Sequence, residues 1–275
     1  MSQALYPPAR PLSVGEVLDL AFLVFKATLV KCLPYGVFAM IAGQLPNIDD
    51  LVRSGVRRSA SDHDAVWMTL YIVGILLMLV AWCALLLRQR AIVEHRPTAG
   101  AFDFGETRRR LLPFMTVSLL VLVVARGEFA LLGVVPLQYR TLVAAPVLAL
   151  SLYLGVMLSC TWPAVLFAGE GALGALRYSA RLVFGNWWRA ATVYAVGFAV
   201  VIAFGVVIAM IIPIIVPAIG VDIAVMTAVL QVVLSALGAL AAPFFGALLL
   251  AVFGDLRVRT EGVHLQQQSV GMAVE

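Results

Sequence analysis

Gly169 to Arg189 reads G-E-G-A-L-G-A-L-R-Y-S-A-R-L-V-F-G-N-W-W-R, the one internally organised polar segment in an otherwise apolar chain. Leu173, Leu176, Ala180, Val183 and Trp187 follow a 3-4-3-4 spacing and so share one face of a helix, while Arg177 and Arg181, four apart, project together from another. Gly185 is placed to close that helix in a left-handed cap and Asn186 to open the next. Trp187, Trp188 and Arg189 are residue types that gather at a lipid headgroup layer. The segment therefore predicts a helix lying on a membrane surface and feeding a transmembrane one.

The surrounding composition agrees. Of 275 residues, 63% are hydrophobic and only 12% charged, and the mean hydropathy of +1.02 is far from that of a soluble domain. The net charge of +4 does not point to nucleic acid, because the basic residues flank apolar spans and no basic, aromatic-interleaved module exists. Cys32, Cys83 and Cys160 lie far apart within apolar stretches, which argues against a disulfide framework or zinc site. Pro7, Pro8 and Pro11 interrupt the N-terminus, and no cleaved signal peptide is expected.

In chain order, residues 1–12 read as a disordered cytoplasmic arm. Ser13 and Glu16 then form a capping box opening a surface helix over 13–28, with a first span at 29–46 anchored by Lys31 and ended by Pro46. After a polar loop at 47–64 comes a second span at 66–87. A second surface segment at 97–110, split at Gly105, precedes a third span at 111–132. Further spans follow at 142–167, 190–215 and 223–253, with a kink expected at Pro243, and a polar cytoplasmic tail covers 255–275.

These elements define an all-α polytopic membrane protein: one domain over 13–254, with six transmembrane helices and amphipathic surface helices before spans 1, 3 and 5. Fourteen of the nineteen lysines and arginines fall on the side holding both termini and four on the other. By the positive-inside rule both termini are cytoplasmic. The layout also reads as a threefold repeat of surface segment plus hairpin, over 13–90, 97–168 and 170–254. Sliding the chain by 159 residues places Gly15 on Gly174, Ala21 on Ala180, Val24 on Val183 and Phe25 on Phe184.

Chemistry-bearing residues are few. Arg126 and Glu128 fall inside the third span, where ionisable groups often mark a transport pathway. The plainer reading is that the helix ends near Ala125 and both groups reach headgroups or water. Gln231 and Ser235, four apart in the sixth span, suit a cavity lining or bonds between helices. Lys26, Arg108, Arg109, Arg110, Arg177, Arg181 and Arg189 are candidates for anionic lipid headgroups, and they also serve simply to orient the chain. His63, His95 and His264 are isolated, and no nucleophile elbow, phosphate loop or metalloprotease motif appears. No cofactor, metal or enzymatic activity is expected. The expected partners are the bilayer, anionic lipid and a membrane protein, with the oligomeric state left open.

Three stretches carry a resemblance. Leu12–Phe22 (L-S-V-G-E-V-L-D-L-A-F), Glu170–Arg189 and Asp255–Leu265 (D-L-R-V-R-T-E-G-V-H-L) look like the membrane domain of some glycerophosphoryl diester phosphodiesterases, a domain that also occurs alone as six-pass bacterial proteins of unknown function. The catalytic barrel of the fused enzymes has no counterpart, since no polar region here is long enough to form one. The resemblance implies a bacterial inner-membrane location and a partner near lipid metabolism or the envelope. It implies no activity. On the residues alone, the leading expectation is a non-enzymatic protein that packs against lipids or a partner at the cytoplasmic leaflet, and the alternative is a permease using Arg126 and Glu128.

Overall fold

A computed structural model describes residues 6, 8, 10–47, 65–95, 104–218 and 222–272, and the side chains at 104–107, 125, 126, 128–132, 137, 216–218, 223, 224 and 263–272 lie outside that description. Among the described residues there is no strand. The helices are α1 (Val14–Gly43), α2 (Ala65–Val93), α3 (Phe104–Val134), α4 (Arg140–Leu158), α5 (Ala172–Phe184), α6 (Trp187–Ala218) and α7 (Ile223–Met272). A short 3-10 turn at Leu137–Tyr139 precedes α4, and a π turn at Ala164–Ala168 follows it. Four stretches are long and apolar enough to cross a membrane: Ala65–Val93, Arg140–Ala168, Trp187–Ile215 and Val225–Gly262. This is the signature of a helical membrane protein.

Three boundaries differ from the sequence reading. The surface helix at 13–28 and the span at 29–46 are one continuous α1, because nothing between Lys26 and Lys31 breaks the backbone ladder and Pro34 is tolerated inside. Likewise α3 runs unbroken from Phe104 through Arg126, Gly127 and Glu128 to Val134, so it does not end near Ala125. A lone glycine costs about 1 kcal/mol in a helix interior, too little to stop one flanked by good helix formers. The tail expected at 255–275 continues α7 as far as Met272. There Arg257 pairs with Glu261 at 2.7 Å and Asp255 with Arg259 at 3.1 Å, both at i, i+4 spacing. Among the described residues, a separate short helix ahead of a long one, α5 before α6, occurs only in the stretch read as the third unit.

At its start α1 shows the capping box that the spacing predicts. The Ser13 amide donates to Glu16 Oε2 at 2.6 Å, and the Glu16 amide donates to Ser13 Oγ. Those bonds, with Arg10 beside them, pull the Glu16 carboxyl down from 4.5 to about 2. A depressed carboxyl stabilises the cap fully above its unfolded value and loses that contribution as pH falls toward about 2. Carboxyl NMR of the full chain is expected to place the Glu16 midpoint near about 2. Ser13→Ala is expected to move that midpoint back up, and a wild-type midpoint at the ordinary glutamate value would remove the argument.

The helices α1, α2 and α7 form the best-packed part of the bundle, with α1 between the other two. Pro243 has no amide to give the Ala239 carbonyl one turn back. Gly36 of α1 packs directly against that carbonyl, where any Cβ would collide with its oxygen. Nearby, fully buried Gln89 of α2 donates from Nε2 to the Pro243 carbonyl at 2.7 Å and to Thr28 Oγ1 at 3.3 Å, linking three helices through polar groups.

Burial is uneven along the bundle. Val17, Leu20, Ala21 and Val24 of α1, Cys83, Leu85 and Leu86 of α2, Phe114 and Val117 of α3, Leu182 and Val183 of α5, and Ala247 to Phe253 of α7 share one core. By contrast α6 buries only Ala190, Val193 and Gly197 along Trp187 to Ile215. Ile202, Phe204, Met210 and Ile214 stand exposed on α6, as do Val225, Val229 and Val232 on α7. Such a surface is untenable in water and ordinary against hydrocarbon.

Candidate functional site

The corner where the N-terminal arm, α5, the start of α6 and the end of α7 meet holds the densest polar chemistry. Asp255, only 2% exposed, accepts the Leu12 amide on Oδ1 at 2.7 Å, Arg189 Nε on Oδ2 at 2.8 Å, and Arg259 Nε at 3.1 Å. The Leu12 carbonyl in turn accepts Nη2 of both Arg189 and Arg259. One carboxylate and one peptide carbonyl thus share two guanidiniums, and both polar groups of Leu12 are used. Gly254 leaves room for the arm: a Cβ there would lie 2.7 Å from the Tyr6 ring and 3.0 Å from Pro8 Cδ. Tyr6 is itself buried, and burial raises its phenol well above the ordinary value. At Tyr6, Pro8 and Leu12, then, the described part of the arm packs against α7.

A second contact fixes α5 to α7. Tyr178 donates to Glu261 Oε1 at 2.6 Å, while Arg257 holds Glu261 Oε2 at 2.7 Å. Ser179, fully buried, donates to the Met157 carbonyl at 2.7 Å and ties α5 to α4. These satisfied polar groups explain why the buried face of α5 is Ala175, Tyr178, Ser179, Leu182 and Val183. The face expected from Leu173, Leu176, Ala180, Val183 and Trp187 is turned by about a third of a revolution from it, and only Val183 belongs to both. Leu173 is 66% exposed and Phe184 75%, with Arg177 and Arg181 beside them. Arg181 also lies 5.4 Å over the Tyr178 ring.

The expected left-handed cap is also displaced. Gly185 is right-handed at φ −78°, whereas Gly169 takes φ +74° after the π turn, a region where a Cβ is strained. Trp187 stacks on Tyr153 at 5.5 Å and donates from Nε1 to the Tyr153 carbonyl at 3.2 Å. Trp188 is left 79% exposed. Tyr153, Phe184, Trp187, Trp188 and Arg189 line an open groove of about 580 Å³ at this α5–α6 junction.

The basic residues expected to face headgroups divide into two sets. Arg189 turns inward to Asp255. Arg110 donates to the Val165 carbonyl at 3.3 Å within the π turn, and Arg90 sits 4.6 Å over the Phe167 ring while bonding Glu94 at 2.6 Å. Lys26, Arg108, Arg109, Arg177 and Arg181 remain exposed. Among the described residues, Lys26, Arg108, Arg109 and Arg177 take part in no ion pair or hydrogen bond.

Of the intramembrane candidates, Arg126 and Glu128 lie on the helical backbone of α3, with side chains outside the described residues. Gln231 and Ser235 sit together on α7, beside a shallow groove. Cys32, Cys83 and Cys160 are buried and unpaired, and among the described residues no three His, Cys, Asp or Glu groups converge as a metal site. Asp255 and Gln89 were not singled out from sequence. The signal for Asp255 was the D-L-R-V-R spacing with Arg259 four residues on; for Gln89 it was one amide after Leu85, Leu86 and Leu87.

The fold and this corner define an all-helical membrane protein with a polar clamp at the end that holds its N-terminal arm. Comparison with family models, curated proteins and solved structures gives no match. Leu12, Arg189, Asp255 and Arg259, far apart in the sequence, bond one another here.

Proposed function

We propose that the protein is a non-enzymatic integral membrane protein that holds anionic lipid against its cytoplasmic face. The carrying observation is the outward side of α5, where Leu173 and Phe184 stand exposed beside Arg177 and Arg181 while the other side docks on the bundle. An apolar ridge flanked by arginines, followed by an exposed tryptophan, suits the boundary between acyl chains and headgroups. In this reading α1 and α3 complete six spans, both termini lie in the cytoplasm of a bacterium, and α5 rests on the inner leaflet. The chain is then a stand-alone relative of the phosphodiesterase membrane domain, sharing its architecture and none of its catalysis.

The test is lipid selectivity of the full chain in nanodiscs of phosphatidylcholine with and without phosphatidylglycerol. Each surface arginine contributes about 1 kcal/mol toward anionic lipid, so Arg177→Ala with Arg181→Ala should weaken enrichment of the anionic lipid by about tenfold or more. Enrichment that survives the double substitution, or is absent in the wild type, overturns the lipid reading.

A further inference from the structure

The stretch Arg140–Ala168 is long and apolar enough to cross a membrane, yet its helix is broken partway along. α4 ends at Leu158, Ser159 and Cys160 form a turn, and a new helical turn begins at Thr161 ahead of the π turn. At the break the Ser159 amide bonds back only three residues, to the Val156 carbonyl at 3.2 Å. Irregular backbone at membrane depth is tolerated where it is buried in protein or lines water. Polar groups collect at this point. Ser159, Cys160 and Thr161 are buried, and Trp162 donates from Nε1 to Ser118 Oγ at 3.1 Å. Two hydroxyls sealed from solvent, Thr161 Oγ1 and Tyr194 Oη, have no hydrogen-bond partner in the protein. The Tyr194 ring is half-buried on α6 with its hydroxyl turned inward, facing Ser159 and Cys160 without bonding directly to either. A buried hydroxyl left without a partner is costly, a cost that phenylalanine and valine at these positions would not carry.

We infer that the break after α4 holds bound water inside the protein, with the Tyr194 and Thr161 hydroxyls among its ligands. Buried water makes about three hydrogen bonds to groups that are otherwise unsatisfied, and each of these hydroxyls offers a donor and an acceptor. Ser159 Oγ spends its proton on the Val156 carbonyl at 2.8 Å, which leaves its lone pairs free to accept from the same water. The water then joins α6 to the turn after α4 where no direct side-chain bond does. This site lies in the interior and is independent of the lipid reading, which concerns the outward side of α5.

The experiment is X-ray radiolytic labelling of the full chain in phosphatidylcholine nanodiscs. X-rays make hydroxyl radicals from bound water as well as from bulk, so a sealed side chain is labelled only where water lies beside it. Cys160 and Cys83 are matched probes, both 0% exposed, with Cys83 among Ala84, Leu85 and Leu86. Cys160 is expected to be labelled several-fold faster than Cys83, and Tyr194→Phe to slow that labelling. Unfolding in mixed micelles gives a second readout. Tyr194→Phe and Thr161→Val should each raise the unfolding equilibrium constant by about fivefold, as loss of a hydrogen bond to water does. Either variant proving as stable as wild type, or more so, would mark an orphaned hydroxyl in a dry site and overturn the inference. Equal labelling of Cys160 and Cys83 in the wild type overturns it too, and that comparison decides alone if a variant does not fold.

Discussion

Asp255→Ala is expected to be the most damaging polar substitution in the chain, costing about 3–5 kcal/mol of stability. Arg189 and Arg259 are only 20% and 29% exposed at their side chains, and among the described residues Asp255 is their one carboxylate. Removing it leaves two partly buried guanidiniums facing each other across the Leu12 carbonyl, with the Leu12 amide unpaired. The charge imbalance decides the size of the effect. Arg259→Ala leaves a one-to-one pair of Arg189 with Asp255 and should cost clearly less. Unfolding in mixed detergent micelles measures both, and protease cleavage near Leu12 reports release of the arm. Equal costs for Asp255→Ala and Arg259→Ala would show that electrostatics does not govern the clamp.

The second large effect is expected at Gly36. A Cβ at this position collides with the backbone oxygen of Ala239, and backbone cannot rotate away as a flexible side chain can. Gly36→Ala therefore forces apart α1 and α7, the most extensively packed pair of helices, and should cost about 3 kcal/mol or more. Gly15→Ala is the matched control, because a Cβ there meets nothing within 4 Å. Alanine is the better helix former, so that change should stabilise by up to about 1 kcal/mol. The two alanines are thus expected to act with opposite signs in the same unfolding measurement.

What the sequence made legible was local. The Ser13–Glu16 box, the apolar helices and the entry of a helix at Trp187 all follow from spacing within a few residues. The continuity of α1, α3 and α7 was less readable, because charged residues such as Lys26, Arg126 and Arg257 look like ends when they are simply good helix formers. The orientation of α5 failed for a different reason. Tyr178 and Ser179 count as polar in any pattern, yet Glu261 and the Met157 carbonyl satisfy them inside. Partners that distant in sequence leave no periodic trace. Asp255 is the extreme case, since its bond to the Leu12 amide spans 243 residues.

That span also sets an order of events during synthesis. The arm and α1 leave the ribosome well before the carboxylate that fixes Leu12 and the carbonyl that receives Gly36, both of which belong to α7. At about 5–20 residues per second, α1 waits on the order of tens of seconds before its main partner arrives. The arm is therefore held only after Asp255 has been made, and a chain cut short before that residue leaves α1 unlatched.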